Sequence, residues 1–174
     1  MKKKEAKILW FTGLSGAGKT TLANQTYKNL NKYNFKLLKI DGDIFRKKTK
    51  NKNNFTKKNI ILNNNRIILH VKRLEKKFDF IIISVISPLL TTRKKARKIF
   101  KHRYIEIYTK CGLKELVKRD TKGLYKKAKD NLVNNLIGFN SKIKYEKSNY
   151  KKIIVDTKKY NISKCTNLIL KKIL

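Results

Sequence analysis

Apolar, strand-like runs that alternate with helical patterns, and a glycine loop set directly after the first of those runs, predict an α/β fold around a parallel sheet. A length of 174 residues suits a single domain. Hydrophobic residues make up 40% of the chain, enough to close a core, which excludes a wholly disordered protein.

The run Lys7–Thr12 ends at a glycine and reads as a buried parallel strand. Residues 20–30 carry Leu22, Ala23, Thr26, Tyr27 and Leu30 at helical spacing, and 37–40 form a second strand leading into Asp41-Gly42-Asp43. The stretch 46–54 is too polar to bury and is expected as a connection. A helix over 56–77 follows, capped by Thr56, with Ile60, Ile67, Val71 and Leu74 on one face. Residues 80–86 are nearly all β-branched or aromatic and make the third strand, which Pro88 should stop. A helix over 91–100, a strand over 104–108 and a helix over Leu113–Arg119 continue the alternation, and a strand over 152–156 and a helix over 163–174 close it. Between them, 120–150 is basic and weakly periodic and contains Gly123 and Gly138, so it reads as a lid over the site.

The charge is extreme: 46 Lys plus Arg against 11 Asp plus Glu, a net +35. Yet 39 of those cations are Lys and only 7 Arg, alongside 18 Asn and 21 Ile, so an AT-rich codon composition accounts for the excess. A dedicated reader of phosphate backbones or guanine edges leans on the forked Arg side chain, and a nucleic-acid partner is therefore not expected. Anionic small molecules fit the field of such a chain. The uncharged run 80–90 is too short to cross a bilayer, and residues 1–5 are basic without a signal-peptide apolar stretch, so no membrane partner and a cytoplasmic location are expected. Cys111 and Cys165 show no zinc spacing and read as ordinary thiols. A homodimer is an open expectation for its assembly.

Gly13-Leu14-Ser15-Gly16-Ala17-Gly18-Lys19-Thr20 has the phosphate-loop pattern, with glycines where backbone N–H groups must turn inward around phosphates. Gly13, Ser15, Gly16, Ala17, Gly18, Lys19, Thr20 and Thr21 are the expected ATP contacts: Lys19 reaches the β and γ phosphates, and the Thr20 hydroxyl ligates Mg²⁺. Asp41-Gly42-Asp43 lies at the carboxyl end of the second strand, where open α/β sheets place ligands. Two readings stand there: a turn capped by Asp, or a catalytic pair in which Asp43 orients or deprotonates a hydroxyl nucleophile and Asp41 supports Mg²⁺. Arg46, three residues on, is placed to clamp an anion. Arg66, Arg93 and Arg97 fall on expected helices, where arginines are usually solvated surface groups.

Together these segments resemble adenylylsulfate kinase, the small P-loop enzyme that phosphorylates the 3′-hydroxyl of adenosine 5′-phosphosulfate. The pieces are the loop at 13–20, Asp-Gly-Asp with Arg46, Phe55-Thr56, Asn63 with Arg66, Ile86-Ser87-Pro88 with Arg93, residues 104–108, and the run 119–128 from Arg119-Asp120-Thr121-Lys122-Gly123 to Ala128. The resemblance implies a three-layer P-loop kinase fold, a parallel sheet flanked by helices, as one domain over 1–174 with a basic lid over about 120–150. It also implies site roles. Phe55 packs on the substrate base, Arg46 and Asn63 hold its phosphate side, Ser87 lies near the 3′-hydroxyl, and Ile86 is a further substrate residue. Lys122, Gly123 and Leu124 belong to the lid, and Phe139 to the substrate loop. Two positions depart from the family: its phosphosulfate-binding arginine falls on Ile60, and its substrate loop appears as Phe139-Asn140-Ser141-Lys142-Ile143, with Lys144 where a proline usually precedes Tyr145. Lys57, Lys58 or Arg66 stand as replacements for the lost charge. The expected reaction is ATP-dependent 3′-phosphorylation of adenylyl sulfate, with a cytidine diphosphate derivative such as cytidine diphosphoramidate as the alternative acceptor. A nucleic-acid-associated NTPase is the rival class. Asn31-Lys32-Tyr33-Asn34 ends in Asn where a guanine reader needs Asp, which speaks against a GTPase.

Overall fold

The computed structural model describes residues 5–48 and 56–174. Five parallel strands, β1 Lys7–Thr12, β2 Leu37–Asp41, β3 Phe80–Ser84, β4 Tyr104–Lys110 and β5 Ile153–Asp156, form one sheet in the order β2-β3-β1-β4-β5. Seven α-helices accompany them among the described residues: α1 Lys19–Asn31, α2 Gly42–Lys48, α3 Lys57–Leu74, α4 Leu90–Phe100, α5 Leu113–Arg119, α6 Leu124–Lys129 and α7 Ile162–Ile173. None is long and apolar enough to cross a membrane.

The side chains of β1 alternate between the two faces of the sheet. Ile8 and Trp10 enter the layer under α3 and α4 with Ile67, Val71, Ile81, Ala96 and Phe100. Leu9 and Phe11 enter the opposite layer with Leu22 of α1 and Ile169 of α7. Both faces are covered, which is why these strands read as unbroken apolar runs. Because β1 is central, with β3 and β4 on either side, the chain reverses its winding there, and the phosphate loop emerges at that crevice.

The sheet leaves no room at Gly13. Its φ of +144° disfavours any side chain, and a Cβ there would lie 2.5 Å from the carbonyl oxygen of Thr109 on β4. Gly13→Ala is therefore expected to lower stability by about 1–3 kcal/mol through backbone strain. A urea titration, read as a lower midpoint at unchanged slope, checks it.

Two short helices stand outside the regular strand–helix alternation. Starting ahead of the polar stretch 46–54 and running into it, α2 begins at Gly42 because the Asp41 carboxylate accepts the free N–H groups of Asp43 (2.9 Å) and Ile44 (3.3 Å). Gly42 is needed where it sits, since a Cβ would lie 2.5 Å from Val85 Cγ2. Within 120–150, α6 is started the same way: Asp120 accepts from the N–H groups of Tyr125 and Lys126, each at 2.9 Å. The expected Thr56 cap is present, its Oγ1 accepting from the N–H of Asn59 at 3.3 Å.

Candidate active site

The end of β1, the phosphate loop and the first turn of α1 bring Lys19 and Thr20 opposite the end of β2. Lys19 Nζ donates to the Leu14 carbonyl at 2.7 Å, so its ammonium spans the loop. Burial pushes its pKa down to about 8, the nearby Lys122 pushes the same way, and Asp43 and Asp41 offset part of both. Thr20 Oγ1 donates to Asp41 Oδ2 at 2.9 Å, and Ser84 Oγ donates to the same oxygen at 3.0 Å. Asp41 thus caps α2 with Oδ1 and grips the Thr20 hydroxyl with Oδ2.

Asp43 faces this pair from the first turn of α2. Its Oδ1 accepts from Arg46 Nη2 at 2.8 Å and its Oδ2 from Lys122 Nζ at 3.0 Å, and half of the side chain stays exposed. Burial alone would raise its pKa, but the charge and hydrogen bond of Lys122, then Arg46 and Lys19, hold the carboxyl below the ordinary range. It is a carboxylate at neutral pH, able to orient a hydroxyl and to take its proton late in transfer.

Beside Asp43 opens a narrow cleft lined among others by Gly42, Arg46, Asn63, Asn64 and Ile86. Asn63 is 4% exposed and its Oδ1 has no partner among the described residues. Ile60 is 5% exposed in the same wall, so the departure from the family pattern is an apolar surface and not a displaced cation. Lys57 and Lys58 are exposed at the start of α3. Phe55 lies outside the described residues.

Ser87 is fully buried, donating from Oγ to Asn64 Oδ1 at 2.7 Å and lying 3.1 Å from Thr92 Oγ1, so its hydroxyl braces the cleft wall. Leu124 and Phe139 pack in an apolar cluster with Ala17, Leu116 and Tyr125 over the phosphate loop. Gly123, at φ +61°, turns the chain into α6.

Thr157 carried no sequence signal of its own, and Arg119 and Tyr125 stood only within the family run 119–128, without individual roles. Tyr125 Oη donates to the Ser15 carbonyl at 2.9 Å and Thr157 Oγ1 to the Ala17 carbonyl at 3.1 Å, so both sides of the loop are held. Arg119 ties to the Thr157 carbonyl at 2.8 Å. Thr157 directly follows the last strand, a position where α/β sheets put ligand contacts, and that spacing was the available clue.

No cluster of three or more His, Cys, Asp or Glu side chains exists among the described residues that would cage a metal by itself. The Thr20 hydroxyl backed by Asp41 does suit Mg²⁺, which takes one or two protein oxygens when phosphates complete its shell. Thr20 would hold it, and the ion would neutralise phosphate charge.

A parallel sheet with its phosphate loop at the winding reversal, a cationic clamp and a carboxylate at the mouth of a cleft define a P-loop phosphotransferase. Comparison with known proteins narrows the class. The adenylylsulphate kinase family pattern matches residues 5–156. The chain is 36% identical over 152 residues to a probable adenylyl-sulfate kinase of Archaeoglobus fulgidus, covering 87% of this chain and 96% of that one. It is 34% identical over 170 residues to the adenylyl-sulfate kinase of Clostridium acetobutylicum, covering 98% and 84%. The solved APS kinase of Mycobacterium tuberculosis in complex with AMPPNP and APS superimposes with a TM-score of 0.88 at 25% identity, covering 96% of each chain. The chain belongs to the adenylyl-sulfate kinase family.

Proposed function

We propose that this kinase transfers the γ-phosphoryl group of ATP to the 3′-hydroxyl of adenylyl sulfate, with Mg²⁺ as the metal. The observation that carries the reading is Asp43, an ionised carboxylate at the rim of the cleft beside the phosphate loop, tied to Lys122 and across the crevice from Lys19. The acceptor hydroxyl attacks the γ-phosphorus in line as the bond to the β-γ bridging oxygen breaks, and its proton passes to Asp43. Lys19 and the backbone N–H groups of the loop receive the charge that shifts onto the leaving ADP. Most of the catalysis is positioning and charge neutralisation.

The relatives named above are adenylyl-sulfate kinases, which favours this acceptor over a cytidine diphosphate derivative and over a polynucleotide-stimulated NTPase. A panel settles the choice: purified protein, ATP and Mg²⁺ with adenylyl sulfate, cytidine diphosphate derivatives or RNA, following ADP release. Adenylyl sulfate should give the highest kcat/KM. ADP release that ignores every mononucleotide but rises with RNA would sink the reading. The homodimer expected from the sequence is likewise a proposal, and analytical ultracentrifugation checks it.

A further inference from the structure

Arg93, on α4, is only 1% exposed, although helical spacing alone marks it as a surface group. A buried guanidinium demands compensation, and the partners that supply it here lie in three separate parts of the site. Nη1 donates to the Ser87 carbonyl, in the loop whose Ile86 lines the cleft. Nη2 donates to the Glu146 carbonyl, in the segment that returns from the lid toward β5. The guanidinium lies 4.9 Å from the centre of the Tyr145 ring, and Tyr145 Oη pairs at 3.0 Å with Thr12 Oγ1, on the last residue before the phosphate loop.

The contacts around this hub reinforce it. Glu146 N–H donates to the Pro88 carbonyl at 2.9 Å, and the Glu146 carboxylate accepts from the Leu90 N–H at the start of α4. Tyr145 stacks on Tyr108 of β4 at 5.3 Å. Arg97, one turn further along α4, donates to the Lys151 carbonyl at 3.0 Å, so α4 grips the returning segment twice. Glu106, buried on β4 with its Oε1 3.5 Å from Arg93 Nε, supplies the countercharge. That distance is long for a hydrogen bond, and Nε has no hydrogen-bond partner among the described residues, whereas each terminal nitrogen donates to a carbonyl. Charge balance alone needs only Glu106. The fork geometry of Arg93 answers instead to the two carbonyls, one on the cleft wall and one on the lid stem.

We propose that Arg93 is a positioning residue for phosphoryl transfer, holding the Ser87 wall of the acceptor cleft, the lid stem at Tyr145 and Glu146, and the root of the phosphate loop in one arrangement. The assignment rests on the kinase reading above. It makes α4 the joint between the two nucleotide sites: the acceptor side through Ser87 and Asn64, the ATP side through Tyr145 and Thr12.

Two variants test it. Arg93→Lys keeps the charge and removes the fork, and Tyr145→Phe keeps the ring stacking and removes only the link to Thr12. With ATP saturating, Arg93→Lys should lower kcat/KM for adenylyl sulfate by about 10-fold or more while Kd for a non-hydrolysable ATP analogue stays within about twofold, since the loop itself is untouched. Tyr145→Phe should act in the same direction more weakly, and the double variant should be no worse than Arg93→Lys alone, because both act through one hub. Hydrogen exchange should quicken in residues 84–90 and 136–148 and leave β1 and β3 protected. Arg93→Lys that folds and keeps its acceptor kinetics within twofold overturns the proposal, as does an equal loss of ATP affinity. If Arg93→Lys fails to fold, Tyr145→Phe decides alone: unchanged acceptor kinetics with unchanged exchange in 136–148 overturns it. Wild-type protein that leaves adenylyl sulfate unphosphorylated counts against the kinase reading instead, and the exchange pattern of the two variants then decides the role of Arg93.

Discussion

Asp43→Asn is expected to lower kcat by about 10²–10⁴-fold, the range for losing a positioned acid-base group, with ATP affinity nearly unchanged. The amide preserves the shape and the hydrogen bond from Arg46 Nη2 but cannot take a proton, and it removes the charge that Lys122 and Arg46 jointly face. Because those cations hold the carboxyl below its ordinary value, wild-type kcat should stay level down through the pH range where free aspartate titrates. The sign is fixed by the shift: a depressed pKa means the active, ionised form persists above it and disappears only as pH falls through the lowered value. Single-turnover kinetics with the true acceptor, across pH 4–8, read both effects. Asp43→Asn with near-normal kcat would leave this carboxylate a partner for Arg46 and Lys122 and would move the acceptor-orienting role to Asp41.

The central part of this site was legible because its chemistry constrains adjacent residues. A strand, a turn that needs glycine and a helix N-terminus must follow one another within 13–20, so the phosphate loop announces itself in order. The same holds for Asp41 and Asp43 at a strand end. Less legible was α2, which runs into the polar stretch and depends on the Asp41 carboxylate capping it, a contact that no periodicity records. Arg93 is the clearest failure: on helical spacing alone it looks like any surface arginine, and only the folding of 145–146 against α4 buries it. Ser87 was named only through the family resemblance, and its bracing partners were not legible: Asn64 and Thr92, 23 and 5 residues away in sequence, take its hydroxyl.

Lys19→Ala should remove more than turnover. In the structure the Lys19 ammonium donates to the Leu14 carbonyl, and burial holds its pKa down to about 8, so at neutral pH it is charged in a place that disfavours charge. An ATP phosphate supplies the opposite charge that burial withholds. Binding should therefore raise this pKa, and ATP affinity of the wild type should fall about tenfold per pH unit above pH 8, as the free protein loses the proton that the complex needs. Calorimetry in buffers of different ionisation enthalpy should register proton uptake on ATP binding near pH 8. With alanine there is no ammonium to titrate. ATP binding should weaken by about 10–100-fold, the scale of one charge-assisted contact, and both the proton uptake and the loss of affinity between pH 8 and 9 should vanish. A Lys19→Ala protein that retains the same pH dependence would place that titration on another group and leave Lys19 fully charged through the whole range.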